Sequence, residues 1–432
     1  MTSIDHNRRA WLLVGLCSAL LFPLGSVAVE AKKDRCEGTK KQRKQKLEKR
    51  EITDEQLEEM IAQYGQRLVA DYERMSQVVL RRLEREYEEH EKSGAPFVYD
   101  ILVISGGGAK GAFGSGFLEG WGTITSASHA RPEFDMVTGV STGALIAPFA
   151  FIGTDEAYAN IVEFYANPDP DWVRKRKGIS YLPSRVSLTN TCHLHDTIRE
   201  NVDRSITEAV AEGAAEDRLI LIGVSNLDVG AGQIFDLGRE AQEALSSGQL
   251  DRIHSILLAS TAIPGAFPPI EMDGMYYADG GATSNLFIAN FPGPDGPVAR
   301  FKARHPEAPR LKFRVWAVVN QQLKPKHVVT SPRWLKISGR ALSTLTSASQ
   351  LFALSWLKDM ARQATVERGL DTEFYFVSIP DGAPEQETKE MFDQEHMRAL
   401  QELGREMGAD PSSWQTEIPD AYVVEGVWGS SD

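Results

Sequence analysis

An α/β fold built on a mostly parallel sheet, with helices on both faces, is what this sequence predicts. Three observations predict it. Apolar, β-branched runs recur from residue 97 onward. Stretches of helical period separate them, and strands alternating with helices favour a parallel sheet. Two of the runs stop in glycine-rich turns that open helices, at Gly106–Gly111 and Gly139–Gly143.

The candidate strands, in order, are Phe97–Ser105, Glu133–Val140, Arg218–Val224, Gln233–Phe235, Met275–Tyr277, Phe313–Val319 and Glu373–Val377. Helical stretches are expected at about 110–122, 142–152, 193–213, 333–368 and 385–407, with loops at Pro292–Pro297 and Asp381–Glu385. Composition agrees with a soluble domain. The chain has 432 residues, 42% hydrophobic and 25% charged, which excludes a disordered chain, a collagen-like fibre and a multi-span membrane protein. A net charge of −13 excludes nucleic-acid binding by bulk electrostatics. Cys17, Cys36 and Cys192 form no C-x-x-C pair, so neither structural zinc nor a disulfide framework is expected.

The first 95 residues read differently. Residues 1–28 look like an export signal or a membrane anchor: Arg8–Arg9 precede an uncharged, mostly apolar run, Ala10–Val29, and Ser26-Val27-Ala28 offers small residues to a peptidase. Uncleaved, twenty such residues make a helix about 30 Å long, enough to cross a bilayer. Either way the protein is expected to be exported: periplasmic, secreted or membrane-anchored. Residues 29–52 form a basic linker. Residues 1–50 carry about +7, leaving about −20 for the rest. The basic arm is a solvated linker or a contact for anionic lipid headgroups. Thr53 then caps an amphipathic helix over 53–95, with apolar residues at Leu57, Ile61, Tyr64, Leu68, Tyr72, Met75, Val79, Leu83 and Tyr87, a break expected at Gly65, and an end near Ser93–Gly94. The main domain spans 96–408 and a tail 409–432.

Three motifs carry chemistry. Gly106-Gly107-Gly108-Ala109-Lys110-Gly111 joins a strand to a helix. Its backbone N–H groups form a nest for an anion, either a pyrophosphate or the oxyanion of an acyl-transfer intermediate. Gly139-Val140-Ser141-Thr142-Gly143 is G-x-S-x-G at a second strand-to-helix junction, the signature of a nucleophile elbow. A serine nucleophile needs a base, and none of the nine histidines sits in a small-residue turn after a late strand. His193 and His195 decorate a helix start or share a strand face as metal ligands. Met275–Gly281 offers a carboxylate instead: Asp279, delivered by a strand to the turn Gly280–Gly281. Within reach of Ser141 it can take the proton directly; alone, D-G-G also marks a plain turn.

In that order and spacing the three motifs resemble the patatin-like phospholipases, bacterial members in particular. Ala259–Pro269, Gly223–Asp228, Phe392–Asp393, Leu400 and Gly404 extend the resemblance over about residues 97–408. It implies a three-layer α/β/α fold and hydrolysis of lipid acyl esters, of phospholipase A or lysophospholipase type, through a Ser–Asp dyad and an acyl-enzyme. It assigns Ser141 as nucleophile, Asp279 as general base and Gly106, Gly107 and Gly108 as oxyanion donors. Lys110, Gly111, Gly139, Thr142, Gly143, Gly280 and Gly281 support the motifs. No metal or cofactor is implied, and the partner is a lipid or other acyl-ester substrate rather than nucleic acid. The run Leu335–Leu357, with Ile337, Leu342, Leu345, Leu351, Phe352, Leu354 and Trp356, is either a core helix or the lining of an acyl-chain groove. Two other functions fit parts of the sequence: a non-catalytic lipid-binding or anchored protein using residues 1–50, and a nucleotide-dependent oxidoreductase using the first glycine loop.

Overall fold

The computed structural model describes residues 52–418, apart from 127–128, 176–186, 188, 292, 294, 325–326 and 389. The apolar run 10–29, the basic stretch 32–50 and Cys36 lie outside the described residues. The chain forms two units, 1–56 and 57–432. In the first, Thr53 begins helix α1 (Asp54–Ser93) with a capping box: Gln56 N–H donates to Thr53 Oγ1 at 3.2 Å, and Thr53 N–H donates to Gln56 Oε1 at 3.0 Å.

The remaining elements are β1 (Val98–Ile104), α2 (Gly111–Trp121), β2 (Met136–Val140), α3 (Thr142–Ile152), α4 (Asp155–Ala166), β3 (Arg174–Lys175), β4 (Thr189–Asn190), α5 (Cys192–Asn201), α6 (Arg204–Ala215), β5 (Leu219–Asn226), β6 (Ala231–Asp236), α7 (Leu237–Ser247), α8 (Asp251–Thr261), β7 (Ile270–Met272), β8 (Met275–Asp279), α9 (Pro297–Arg304), β9 (Lys312–Val319), α10 (Trp334–Arg368), β10 (Asp371–Ser378) and α11 (Gln394–Gly408). The main sheet has the order β10-β9-β1-β2-β5-β8-β7, with β6 also on β5. Its first five strands are parallel; β6, β7 and β8 pair antiparallel.

Alternation of side chains sorts the core into two layers. Leu102, Ile104, Val137, Ile220, Ile222, Trp316 and Val318 pack with α2, α3, α8 and α11. Their neighbours Ile101, Val103, Met136, Leu219, Leu221, Val315 and Ala317 pack with α1 and α10 on the other face. The three-layer α/β/α fold follows. From Leu57 on, α1 belongs to the second layer of helices, where Met75, Val79, Leu80, Leu83 and Tyr87 are buried. It runs unbroken through Gly65, where the sequence suggests a break. One glycine costs a helix only about 1 kcal/mol, and the apolar face continues on both sides of it.

Two further expectations change. The stretch 193–213 is two helices, because the Asp203 carboxylate accepts the Ser205 and Ile206 N–H groups and starts α6 afresh. The stretch 385–407 becomes helical only at Gln394, where Asp393 accepts the His396 N–H at 3.0 Å. Helices α4, α7, α8 and α9 appear where the sequence carries no expectation, and Pro297 opens α9 rather than closing a loop. Among the described residues no helix is long and apolar enough to cross a membrane.

One feature of the sheet positions the site. The β6 strand pairs with β5 over residues 221–226. The β2 strand pairs with residues 219–223 and β8 with 224–226. A strand has two edges, so β2 and β8 share the edge that β6 leaves open. They run in opposite directions and stop end to end, Val140 opposite Gly223 and Asp279 opposite Val224.

The join between α1 and the sheet holds a buried charge. Asp135 accepts Arg82 Nε at 2.6 Å and the Asp100 N–H at 2.6 Å, and burial, against the pull of Arg82, pushes its carboxyl up to about 7. Removing one partner of a buried pair strands the other charge. Arg82→Ala is expected to lower stability by about 3 kcal/mol at pH 8 in urea unfolding, with a smaller loss at pH 5, where Asp135 takes up a proton and the stranded charge disappears.

Candidate active site

The second motif forms a strained elbow between β2 and α3. Ser141 has φ 54° and ψ −122°, a left-handed conformation that costs a non-glycine residue on the order of 1–3 kcal/mol. Its surroundings compel it. A Cβ at Gly143 would lie 2.3 Å from the Ile104 carbonyl oxygen, so α3 starts in contact with the end of β1. The Ser141 N–H donates to Ser260 Oγ at 2.9 Å, and the Ser260 hydroxyl donates to the Gly223 carbonyl at 2.7 Å. The elbow is thereby tied to β5 through α8.

Asp279 arrives from the other side. It is the last residue of β8, its N–H donates to the Ala262 carbonyl at 2.9 Å, and its Oδ1 accepts the Gly281 N–H at 2.8 Å. Gly280 has no side chain because a Cβ would lie 2.4 Å from the Gly223 carbonyl oxygen. Ser141 and Asp279 are both buried and line one cleft, with the Ser141 hydroxyl near enough to favour the charged form of the Asp279 carboxyl. Burial pushes the Asp279 carboxyl up to about 6, against the opposing pull of the Ser141 hydroxyl and the Gly281 N–H.

The first motif lies across the same cleft. Gly106, Gly107, Gly108, Lys110, Ser141 and Asp279 line a hollow of about 400 Å³. The loop is pinned at its root: Asn320 N–H donates to Ser105 Oγ at 2.8 Å, and Asn320 Nδ2 to the Ser105 carbonyl at 2.9 Å. Gly106 departs from its expected role. Its N–H donates to Asn285 Oδ1 at 3.1 Å, so it is not an open donor. Among the described residues the N–H groups of Gly107, Gly108 and Thr142 have no protein acceptor. They stand at the N-terminal ends of α2 and α3, where the helix dipole adds to the attraction for an anion. Gly111 lies against Thr142, and a Cβ there would overlap Thr142 Oγ1. Gly139 and Gly281 belong to the same two turns.

Four polar residues that the sequence did not mark as functional hold these parts in place: Ser260, Asn285, Asn320 and Gln350. Asn285 Nδ2 donates to Gln350 Oε1 of α10 at 2.6 Å, joining α10 to the glycine loop. Ser260 fell within the resembling segment Ala259–Pro269 without a role, and Asn285 follows the Asp279 turn; single buried amides leave no periodic trace.

The expected acyl groove divides. Leu342 lines the cleft and Leu354 is core, whereas Ile337, Leu345, Phe352 and Trp356 are exposed on α10. His193 and His195 lie in the first turn of α5, and burial brings His195 down to about 4. Among the described residues no histidine lines the cleft and no group of His, Cys, Asp and Glu is disposed to hold a metal ion.

Residues 102–291 match the family model of the patatin-like phospholipases. Solved structures similar to the chain include VipD from Legionella pneumophila, at 13% identity and a TM-score of 0.33, over 74% of this chain and 68% of that one. The type III effector ExoU is similar at 14% identity and a TM-score of 0.30, over 73% of this chain and 53% of that one. No curated protein matches the chain.

The raised Asp279 carboxyl has a consequence for stability. A folded-state pKa near 6 lies above the ordinary 3.8, so the folded site takes up its proton first as pH falls. Above about pH 6 the fold carries a buried charge at a cost. Asp279→Asn is therefore expected to stabilise the protein by on the order of 2–3 kcal/mol at pH 8 in urea unfolding, and the gain should vanish by about pH 3.5, where the carboxyl is neutral in both states.

Proposed function

We propose that this chain, which belongs over residues 102–291 to the patatin-like phospholipase family of ester-bond hydrolases, cleaves fatty acyl esters of lipids through a Ser141–Asp279 dyad. One observation carries the reading. A strained serine and a buried, raised carboxyl line one cleft together with Gly107 and Gly108, whose N–H groups are open.

Asp279 takes the Ser141 proton as Oγ attacks the ester carbonyl carbon. The negative charge moves to the carbonyl oxygen, where the Gly107, Gly108 and Thr142 N–H groups receive it; removing one such donor typically costs ~3–4 kcal/mol in transition-state stabilisation. The carbon–oxygen bond to the alcohol breaks, Asp279 returns its proton to the departing alkoxide, and an acyl-enzyme remains on Ser141. Water then loses a proton to Asp279 and attacks the acyl carbon. Collapse of that intermediate releases the fatty acid and restores the Ser141 hydroxyl. Asp279 suits the task because a base whose pKa lies near the working pH is both largely ionised and basic enough to accept the proton. Ile263, Pro264 and Leu342 supply apolar wall for an acyl chain.

A protein that merely bound lipid would have no use for a left-handed serine or a desolvated carboxylate. Both features lower stability and are expected where function requires them. The sequence before residue 30 supports an exported location for this activity.

Ser141→Ala and Asp279→Asn should each abolish release of fatty acid from lipid mixtures, followed by mass spectrometry, while circular dichroism shows an intact fold; turnover retained in either folded variant would refute the dyad. For the wild type, kcat/KM should rise with pH along a limb of midpoint about 6 and level off above it, because protonated Asp279 cannot accept the serine proton. A flat profile from about pH 5 to 8 would contradict the assignment of the base.

A further inference from the structure

Helix α10 has two faces with different neighbours. Gly339, Leu342, Ser343, Thr346 and Ser347 form a wall of the cleft. On the far side lie Trp334 (66% exposed), Ile337 (51%), Leu345 (68%), Phe352 (76%) and Trp356 (49%). At 3.6 residues per turn these five fall within about 100° of one another, a single apolar stripe. The segment leading into the helix continues it, with Val328 55% and Val329 99% exposed. A soluble protein seldom shows water so continuous an apolar row, which marks a contact surface.

The charges around the stripe say what it contacts. The chain as a whole carries −13, yet from Gln321 to Lys358 there is no Asp or Glu and there are six Lys or Arg. Arg333 is exposed where the stripe begins, and Lys336, also exposed, lies about 100° round the helix from Ile337, off the stripe. Lys324 lies 3.7 Å from Asp381 and Lys358 is paired with Glu417, both partners outside the segment. At physiological salt, charges beyond about 8 Å are largely screened, so an approaching surface meets this local positive field rather than the net negative charge.

We infer that α10 and the preceding Val328–Val329 segment dock the protein on an anionic phospholipid bilayer. The apolar stripe sits at the level of the upper acyl carbons, and Arg333 at its edge sits among the headgroups. Such seating is what an interfacial helix requires: large aromatic and aliphatic residues along one face, and basic residues at its border that reach the headgroup phosphates. Because the opposite face of the same helix walls the cleft, docking sets the bilayer about one helix diameter, ~10 Å, from the site. The choice of a bilayer as occupant rests on the lipid-hydrolase reading; the existence of the stripe does not.

The test uses the full chain in a Ser141→Ala background and vesicles of phosphatidylcholine, with or without phosphatidylglycerol. Co-sedimentation should favour the phosphatidylglycerol vesicles. The triple variant Trp334→Ser, Ile337→Ser, Leu345→Ser should lose on the order of a hundredfold or more in partitioning. The variant Arg333→Gln should lose roughly fivefold, confined to the anionic vesicles. With Ser141 restored, both variants should cleave a soluble short-chain ester at the wild-type rate and cleave vesicle lipid more slowly in proportion to binding. Unchanged vesicle binding in the triple variant overturns the inference. So does a wild-type dimer that the triple variant converts to monomer in sedimentation velocity while vesicle binding persists, since the stripe would then hold a second copy. Stripe-dependent vesicle binding by a protein without ester turnover would leave the docking surface standing and sink the hydrolase reading instead.

Discussion

The β2 strand runs parallel to β5 and stops at Val140, while β8 runs the other way along the same edge and stops at Asp279. The two strand ends face each other across the β5 backbone at Gly223 and Val224. Through that meeting a hydroxyl on an early turn and a carboxyl on a late one come to line one cleft. The arrangement also accounts for the small residues around it. Gly280 passes so close to the Gly223 carbonyl that a side chain has no room, and the same carbonyl receives the Ser260 hydroxyl that holds the Ser141 N–H. One peptide unit of β5 thus sets the position of both Ser141 and Asp279.

Burial does the electrostatic work once that geometry exists. Asp279 has the Gly281 N–H and the serine hydroxyl beside it, and desolvation wins over their pull, so its carboxyl rises. Asp135 has an arginine beside it, and burial still outweighs the pull of that cation. The two sites show the same balance in different places: one joins a helix to the sheet, the other sets a raised carboxyl in the cleft beside Ser141. The open amides complete the arrangement. The loop is held by Asn320 on Ser105 and by Asn285 on Gly106, which leaves the Gly107 and Gly108 N–H groups free of that work.

Helix α10 connects this chemistry to the outside. Through Gln350 it reaches Asn285 and the glycine loop, through Leu342 it reaches the cleft, and through Trp334 and Leu345 it faces solvent. A helix presenting three such faces cannot be assigned from its apolar residues alone. Ile337, Leu345 and Leu354 are equally hydrophobic, and only their angular positions relative to the sheet separate exposed surface from core.

Much of this protein was legible in the sequence. The strand-to-helix junctions at Gly106–Gly111 and Gly139–Gly143, the strand that ends in Asp279, and the alternation that specifies a parallel sheet are local matters. A left-handed serine, a close backbone approach and an apolar strand each leave their requirement within a few adjacent residues. The boundaries set by Asp203 and Asp393 were present too, as N-cap chemistry, but an aspartate caps a helix or sits in a loop with equal ease until a packed face selects one. What the tertiary structure alone decided was which parts meet. The shared edge of β5, the diversion of the Gly106 donor to Asn285 and the outward turn of the α10 stripe all depend on contacts between segments far apart in the chain. Such contacts are chosen by the packing of whole layers, and no short window of residues records them.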